Sequence, residues 1–233
     1  MLPPALEKQR HRLYAQAVDA MGRRLESAAG ADGAVLAALR WGMQEMDDTF
    51  AETPARVRAA VACSAGCGHC CSVPVEVQAH EVFFAADHIQ LNFTPVDLAA
   101  VLARTADHRA KVAALTGAAR ASRRQPCALL RDDRCSIYAG RPAACRAHHT
   151  SDATVCAADA AGQPVDLEKV YLPALRSRLF AVMLGLDAAL EAAGFDDRAY
   201  DFGSALHEAL TNSLCRVLWL RGRPAFPDSC LAV

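Results

Sequence analysis

Four cysteines fall within nine residues, Cys63-Ser-Ala-Gly-Cys67-Gly-His-Cys70-Cys71, and three more follow at Cys127, Cys135 and Cys145. Thiols this close together are reactive when left alone, and a soft metal ion that takes thiolates at about 2.3 Å gives them a common purpose. Cys67 and Cys70 have the spacing of a short ligand pair, and Gly66 and Gly68 let the backbone turn tightly around an ion. A distant segment must then close the site, and Cys127, Cys135 and Cys145 can supply it. The chemistry points to a metal centre with Cys63, Cys67, Cys70, Cys71, Cys127, Cys135 and Cys145 as candidate ligands. Zinc and iron both suit such donors, iron also as a [4Fe-4S] cluster. No catalytic residue and no organic-cofactor motif is assigned.

A competing reading places residues 63, 67, 70 and 71 on one face of a helix as small core hydrophobes. Two glycines inside that helix would each cost roughly 1 kcal/mol relative to alanine, which disfavours it. Cys156 would bring the clustered thiols to eight, enough for two four-coordinate sites; its role stays open. The same holds for His69, His148 and His149, since imidazole ligates zinc and iron but more often hydrogen-bonds or faces water. Cys215, beside Leu214 and Leu218, reads as a core thiol, and Cys230 near the terminus as an exposed one. His11, His80, His88, His108 and His207 sit in helical context without a motif.

The elements that must position these thiols are mostly helical. Tyr14, Val18, Met21 and Leu25 share one helix face, and Leu36, Leu39, Met43, Met46 and Phe50 share a second, with a link at residues 29–33. Thr94 before Pro95 caps a third stretch through Leu98, Val101, Leu102, Val112 and Leu115. Leu175, Leu179, Val182, Met183, Leu186 and Leu190 form another stripe stopped by Gly194. Leu206, Leu210, Leu214, Val217 and Leu218 form the last, ended by Gly222 and Pro224. Strands are expected only at Ala128–Leu130 and Ser136–Tyr138, joined through Arg131-Asp132-Asp133-Arg134. The expected fold is mainly α, a helical bundle around an irregular cysteine-rich centre with at most a short β-hairpin. One domain spans 1–233, with 63–149 as the metal-binding core and flanking helices in 1–62 and 165–222.

The 233 residues are 53% hydrophobic and 22% charged, with a formal net charge of −1. That balance gives no electrostatic reason to expect nucleic acid or an anionic membrane as partner, and no protein partner is indicated. The first residues lack the apolar stretch of a secretory signal, and apolar runs fall short of the roughly 20 residues that cross a bilayer. A cytoplasmic location is expected, where ten cysteines favour metal or redox chemistry over a disulfide framework. Abundant alanine, and arginine in place of lysine, suggest a GC-rich bacterial genome.

The order Cys67-Gly-His-Cys70-Cys71, Glu81, Cys127-Ala-Leu-Leu and Cys135-Ser-Ile-Tyr138-Ala-Gly-Arg141-Pro142-Ala-Ala-Cys145-Arg146 resembles the CxxCxxCC (YkgJ-like) family, described as zinc- or iron-chelating. The resemblance covers about residues 63–149 and departs from the family name at Cys63, four positions before Cys67 instead of three. It implies metal binding. By its own chemistry Glu81 can orient a ligand or arginine, or coordinate iron directly. Tyr138 is expected to bury its ring, Arg141 and Arg146 to bind carbonyls or offset thiolate charge, and Pro142 to start a helix. Cys63-x3-Cys67-x2-Cys70 also has the spacing of S-adenosylmethionine-dependent [4Fe-4S] enzymes, including a protein N-methylase type. Those carry the triad after the first strand of a β/α barrel and usually an aromatic residue where His69 stands. A third reading is a helical interaction module with structural zinc.

Overall fold

The computed structural model describes residues 3–28, 31–64 and 66–232. Its helices are α1 (Pro4–Ala28), α2 (Asp32–Ala51), α3 (Ala55–Arg58), α4 (Ala79–Asn92), α5 (Pro95–Ala113), α6 (Gly117–Ala121), α7 (Ala143–Ala147), α8 (Ala153–Ala160), α9 (Pro173–Ala192), α10 (Phe202–Thr211) and α11 (Leu214–Leu220). Four two-residue strands accompany them: β1 (Glu76–Val77), β2 (Leu130–Arg131), β3 (Arg134–Cys135) and β4 (Tyr200–Asp201). The fold is mainly α, as the periodicities require.

Helix α1 lies along α9, and α2 packs against both. The closest approach is at Gly185, where an added Cβ would sit 2.7 Å from both Ala17 Cβ and the Tyr14 carbonyl oxygen. Met21 and Leu25 of the first stripe are buried, with Leu39, Met43 and Met46 of the second. Helix α2 already begins at Asp32, so part of the expected link is helical; residues 29 and 30 lie outside the described residues. The Thr94 hydroxyl caps α5 by accepting from Asp97 N at 3.2 Å, and Gly194 ends the α9 region with φ +82°. Helix α10 packs on α4 and α5. Nearby, Phe83, Phe195, Trp219 and Phe226 form an aromatic cluster with ring centroids 4.7–5.2 Å apart.

Three expectations are corrected. The stripe from Leu206 to Leu218 is two helices, because the Asn212 side chain accepts the Leu214 N–H at 3.1 Å and restarts the chain. Leu214 and Val217 consequently face outward. The hairpin is tighter than expected: Leu130 pairs with Cys135, the turn is Asp132-Asp133 at φ 49° and 57°, and Ser136–Tyr138 is not a strand. Asp tolerates this left-handed backbone better than most residues. Cys230 is fully buried, since its short 3-10 turn packs against the core, whereas Cys215 is buried as expected. The antiparallel β1–β4 pair, Val77 against Tyr200, had no sequence signal. No helix among the described residues is long and apolar enough to cross a membrane.

Candidate metal centre

The first thiol segment is not an α-helix. Gly66 takes φ +90°, Cys67 N donates to Ser64 O at 3.0 Å, and His69–Ser72 is a single 3-10 turn. Gly68 lies beneath the hairpin, where a Cβ would stand 3.1 Å from Leu130 Cδ1 and 3.4 Å from Asp133 O. The second segment is laced to the first through backbone: Cys127 N donates to Cys71 O at 2.6 Å and Gln125 N to Ser72 O at 2.9 Å. Cys135 then stands opposite Leu130 in the hairpin.

The third segment is placed by two buried charged residues. Pro142 precedes α7, as expected, and α7 carries Cys145. The Glu81 carboxylate accepts Gln78 N at 2.8 Å and Ala144 N at 3.3 Å, so one side chain closes the N-termini of both α4 and α7. Arg146 donates to Arg141 O at 3.0 Å, to Ala139 O, and to the Asp47 carboxylate of α2. Both arginine and glutamate therefore act on backbone, fixing the thiol segments to the helical shell. Gly140 is needed here, since a Cβ would come 2.5 Å from the His88 ring.

Cys70, Cys127 and Cys135 all bear on Cys145, Cys70 also on Cys135, and Cys135 on Cys127. A hydrogen bond with Cys71 and burial hold the Cys70 thiol far above its ordinary value. Burial raises Cys145 strongly, helped by the nearby Cys127, Cys70, Cys135 and Glu81. Burial raises Cys127 to about 11, with Cys135 and Asp201 adding to it. Burial and Cys70 also raise Cys135, against the Arg141 guanidinium, which favours the thiolate. Without a cation these groups stay neutral thiols, and a divalent ion among them would reverse the balance by releasing protons. As the side chains stand, no three His, Cys, Asp or Glu of the described residues are arranged around a point to hold an ion. The donor set fits zinc or iron in chemistry.

The remaining candidates fall outside this group. Cys63 is exposed, and it and Cys67 join Cys70 in opposing ionisation of Cys156. Cys156 is buried, its Sγ 3.2 Å from Thr150 Oγ1. His149 stacks on Phe50 with centroids 4.9 Å apart, and His148 stands edge-on to Tyr171 at 5.6 Å. Tyr138 contradicts expectation: it is exposed, with the Arg141 guanidinium 3.9 Å above its ring, because the 3-10 turn Tyr138–Gly140 turns it outward while Ile137 takes the core. All ten cysteines are free.

Residues 62–163 match the model of the CxxCxxCC family, whose description is "Putative zinc- or iron-chelating domain". This segment is similar to the CxxCxxCC domain over somewhat less than half of the chain. The searches of curated proteins and of solved structures each found no match. The CxxCxxCC match extends past Cys145 to include α8 and Cys156, beyond the motif legible by eye. Two buried pairs near the domain also escaped sequence reading. His108 Nε2 lies 2.8 Å from Asp201 Oδ1, which also accepts from Ser204 Oγ, and Arg123 binds the other oxygen. Burial works to raise Asp201, but His108, Ser204 and Arg123 prevail and hold it down to about 2. Gln125 reaches His108 Nδ1 at 3.2 Å, which ties this network to the Cys127 segment. His80 and Asp187 stand 3.4 Å apart. Their partners, Asp201 in β4 and Asp187 in α9, are far from them in sequence, so no local spacing reveals them.

Proposed function

We propose that the chain chelates a zinc or iron ion through thiolates of Cys70, Cys127, Cys135 and Cys145, with Cys71 adjoining and Cys67 and Cys63 on the approach. The observation that carries this reading is the convergence of three separately anchored segments, so that Cys70, Cys127 and Cys135 each oppose ionisation of Cys145. Four thiolates make a closed zinc site that contributes folding free energy. Arg141, close to Cys70 and Cys135, offsets part of the resulting negative charge. The role that fits best is metal chelation by a domain held within a helical shell.

Metal analysis with an absorption spectrum on anaerobically purified protein tests this. Colourless protein with stoichiometric zinc supports the thiolate site, and serine at Cys70, Cys127, Cys135 or Cys145 then lowers metal content. Brown protein whose iron is matched by sulfide replaces zinc with an iron-sulfur cluster. Unchanged metal in all four variants refutes the ligand set.

A further inference from the structure

Beside the thiol centre a cleft of about 370 Å³ is lined by Cys70 and Cys156 together, with His148, Tyr171, Arg124 and Asp159 around them. Cys70 belongs to the converging group, so the cleft opens onto one of its thiols. Cys156 reaches the same space from α8, which packs directly on the turn carrying Cys70. Its position is fixed twice over. Thr150 Oγ1 lies 3.2 Å from its sulfur, and Thr150 O accepts Ala62 N at 2.9 Å, which anchors the chain next to Cys63. Of the two carboxylates lining the cleft, Asp159 is already committed, because Arg124 binds its carboxylate at 2.7 Å and its carbonyl at 2.9 Å, and Glu76 is exposed. The cleft therefore holds one thiol outside the converging group at the place where a group thiol meets solvent.

Resting on the chelation reading above, we infer that Cys156 is the exchange ligand through which a soft divalent ion enters and leaves the centre by this cleft. A site closed by four thiolates releases its ion slowly unless an incoming donor bonds before an outgoing one departs. In the step assigned here, a bond forms between the ion and Cys156 sulfur while one bond to a cluster thiolate breaks. The Cys156 proton passes to the departing thiolate, so charge and protons balance and no redox partner is required. The acceptor arriving through the cleft is a small soft donor, a thiol or nitrogen chelator, which takes the ion from Cys156.

The test measures zinc in the full chain. Zinc-loaded wild type and Cys156→Ser, in which serine keeps a hydroxyl for Thr150, are mixed with excess chromogenic pyridylazo chelator, and the transfer rate is followed. The expected result is equal zinc content and equal affinity but transfer slowed about tenfold or more in the variant, a barrier increase of about 1.4 kcal/mol. An unchanged rate overturns the inference, and so does reduced zinc content, which would make Cys156 a resident ligand. A second measurement needs no variant: a small methanethiosulfonate applied to zinc-loaded wild type should modify Cys156 while Cys127 and Cys145 stay protected. Equal protection of Cys156 and Cys145 overturns the assignment. A chain that takes up no ion overturns the chelation reading itself and this inference with it.

Discussion

Arg146 is the side chain on which the placement of Cys145 depends most, and its replacement by lysine has a calculable cost. The guanidinium is 4% exposed and makes three hydrogen bonds: to Arg141 O, to Ala139 O and to Asp47. Lysine retains the charge but has no planar fork, so it cannot serve two carbonyls and a carboxylate set in that geometry. Each charge-assisted bond to a buried acceptor is worth about 1.5–3 kcal/mol, and the acceptor left behind is unsatisfied. The Asp47 side chain is 46% exposed, which limits its share to about 1 kcal/mol or less after solvent screening. Losing the two carbonyl bonds should therefore destabilise Arg146→Lys by about 3–5 kcal/mol, and Asp47→Asn by no more than about 1 kcal/mol. For a chain of this length the arginine variant should melt roughly 6–20 °C lower. Urea unfolding of metal-free protein, followed by circular dichroism, measures both. If Asp47→Asn costs as much as Arg146→Lys, the ion pair and not the backbone anchoring holds this corner, and the argument fails.

Two further perturbations probe the buried polar groups. Asp187 stands 3.4 Å from His80, yet burial raises its pKa to about 8 and lowers that of His80 to about 3, so the pair is neutral near pH 6. A raised acid stabilises fully below its unfolded pKa near 4, and that stability declines as pH rises to about 8. Asp187→Asn should flatten the dependence of the urea midpoint between pH 5 and pH 8, each taken roughly; an unchanged slope would refute the neutral pair. Gly203→Ala would put a Cβ 2.4 Å from the His108 ring, which Asp201 and Gln125 hold in place. Its net cost should be about 1–2 kcal/mol despite better helix propensity, with thermal melting as the readout.

The helices and one turn were legible because their causes are local. Thr94 followed by Pro95 specifies a helix start, and paired Asp132 and Asp133 accept the left-handed backbone of a two-residue turn. Arg141-Pro142 before Cys145 likewise announces α7. What failed depends on distance or on competition. The apolar period runs unbroken through Asn212, but its side chain offers the backbone an alternative to the helix. Tyr138 and Cys230 are placed by what packs against their neighbours, Ile137 in the core and the β4 region beside Leu231. Among the thiols, spacing names seven candidates, and only the chain path sets Cys70, Cys127 and Cys135 near Cys145 while Cys63 and Cys67 stand near Cys156.

How much of the fold waits for metal follows from where the core lies. Most of its largest buried side chains, including Trp219, Tyr200, Phe83, Met21, Leu39 and Leu186, come from helices and strands outside the thiol segments, which add Leu129 and Ile137. The thiol segments themselves are joined by backbone bonds at Cys127–Cys71 and Gln125–Ser72, and anchored by Glu81 and Arg146. An ion would then spend its binding free energy on turning side chains and ionising thiols, unlike a zinc finger, whose whole fold depends on the metal. Stripping the ion with a chelator should leave helix content nearly intact. It should lower the melting temperature, and increase amide hydrogen exchange selectively at 67–72, 127–137 and 143–147. Cooperative loss of α1, α2 and α9 on chelation would show instead that the metal centre organises the helical shell, and the division between core and site drawn from these contacts would be wrong.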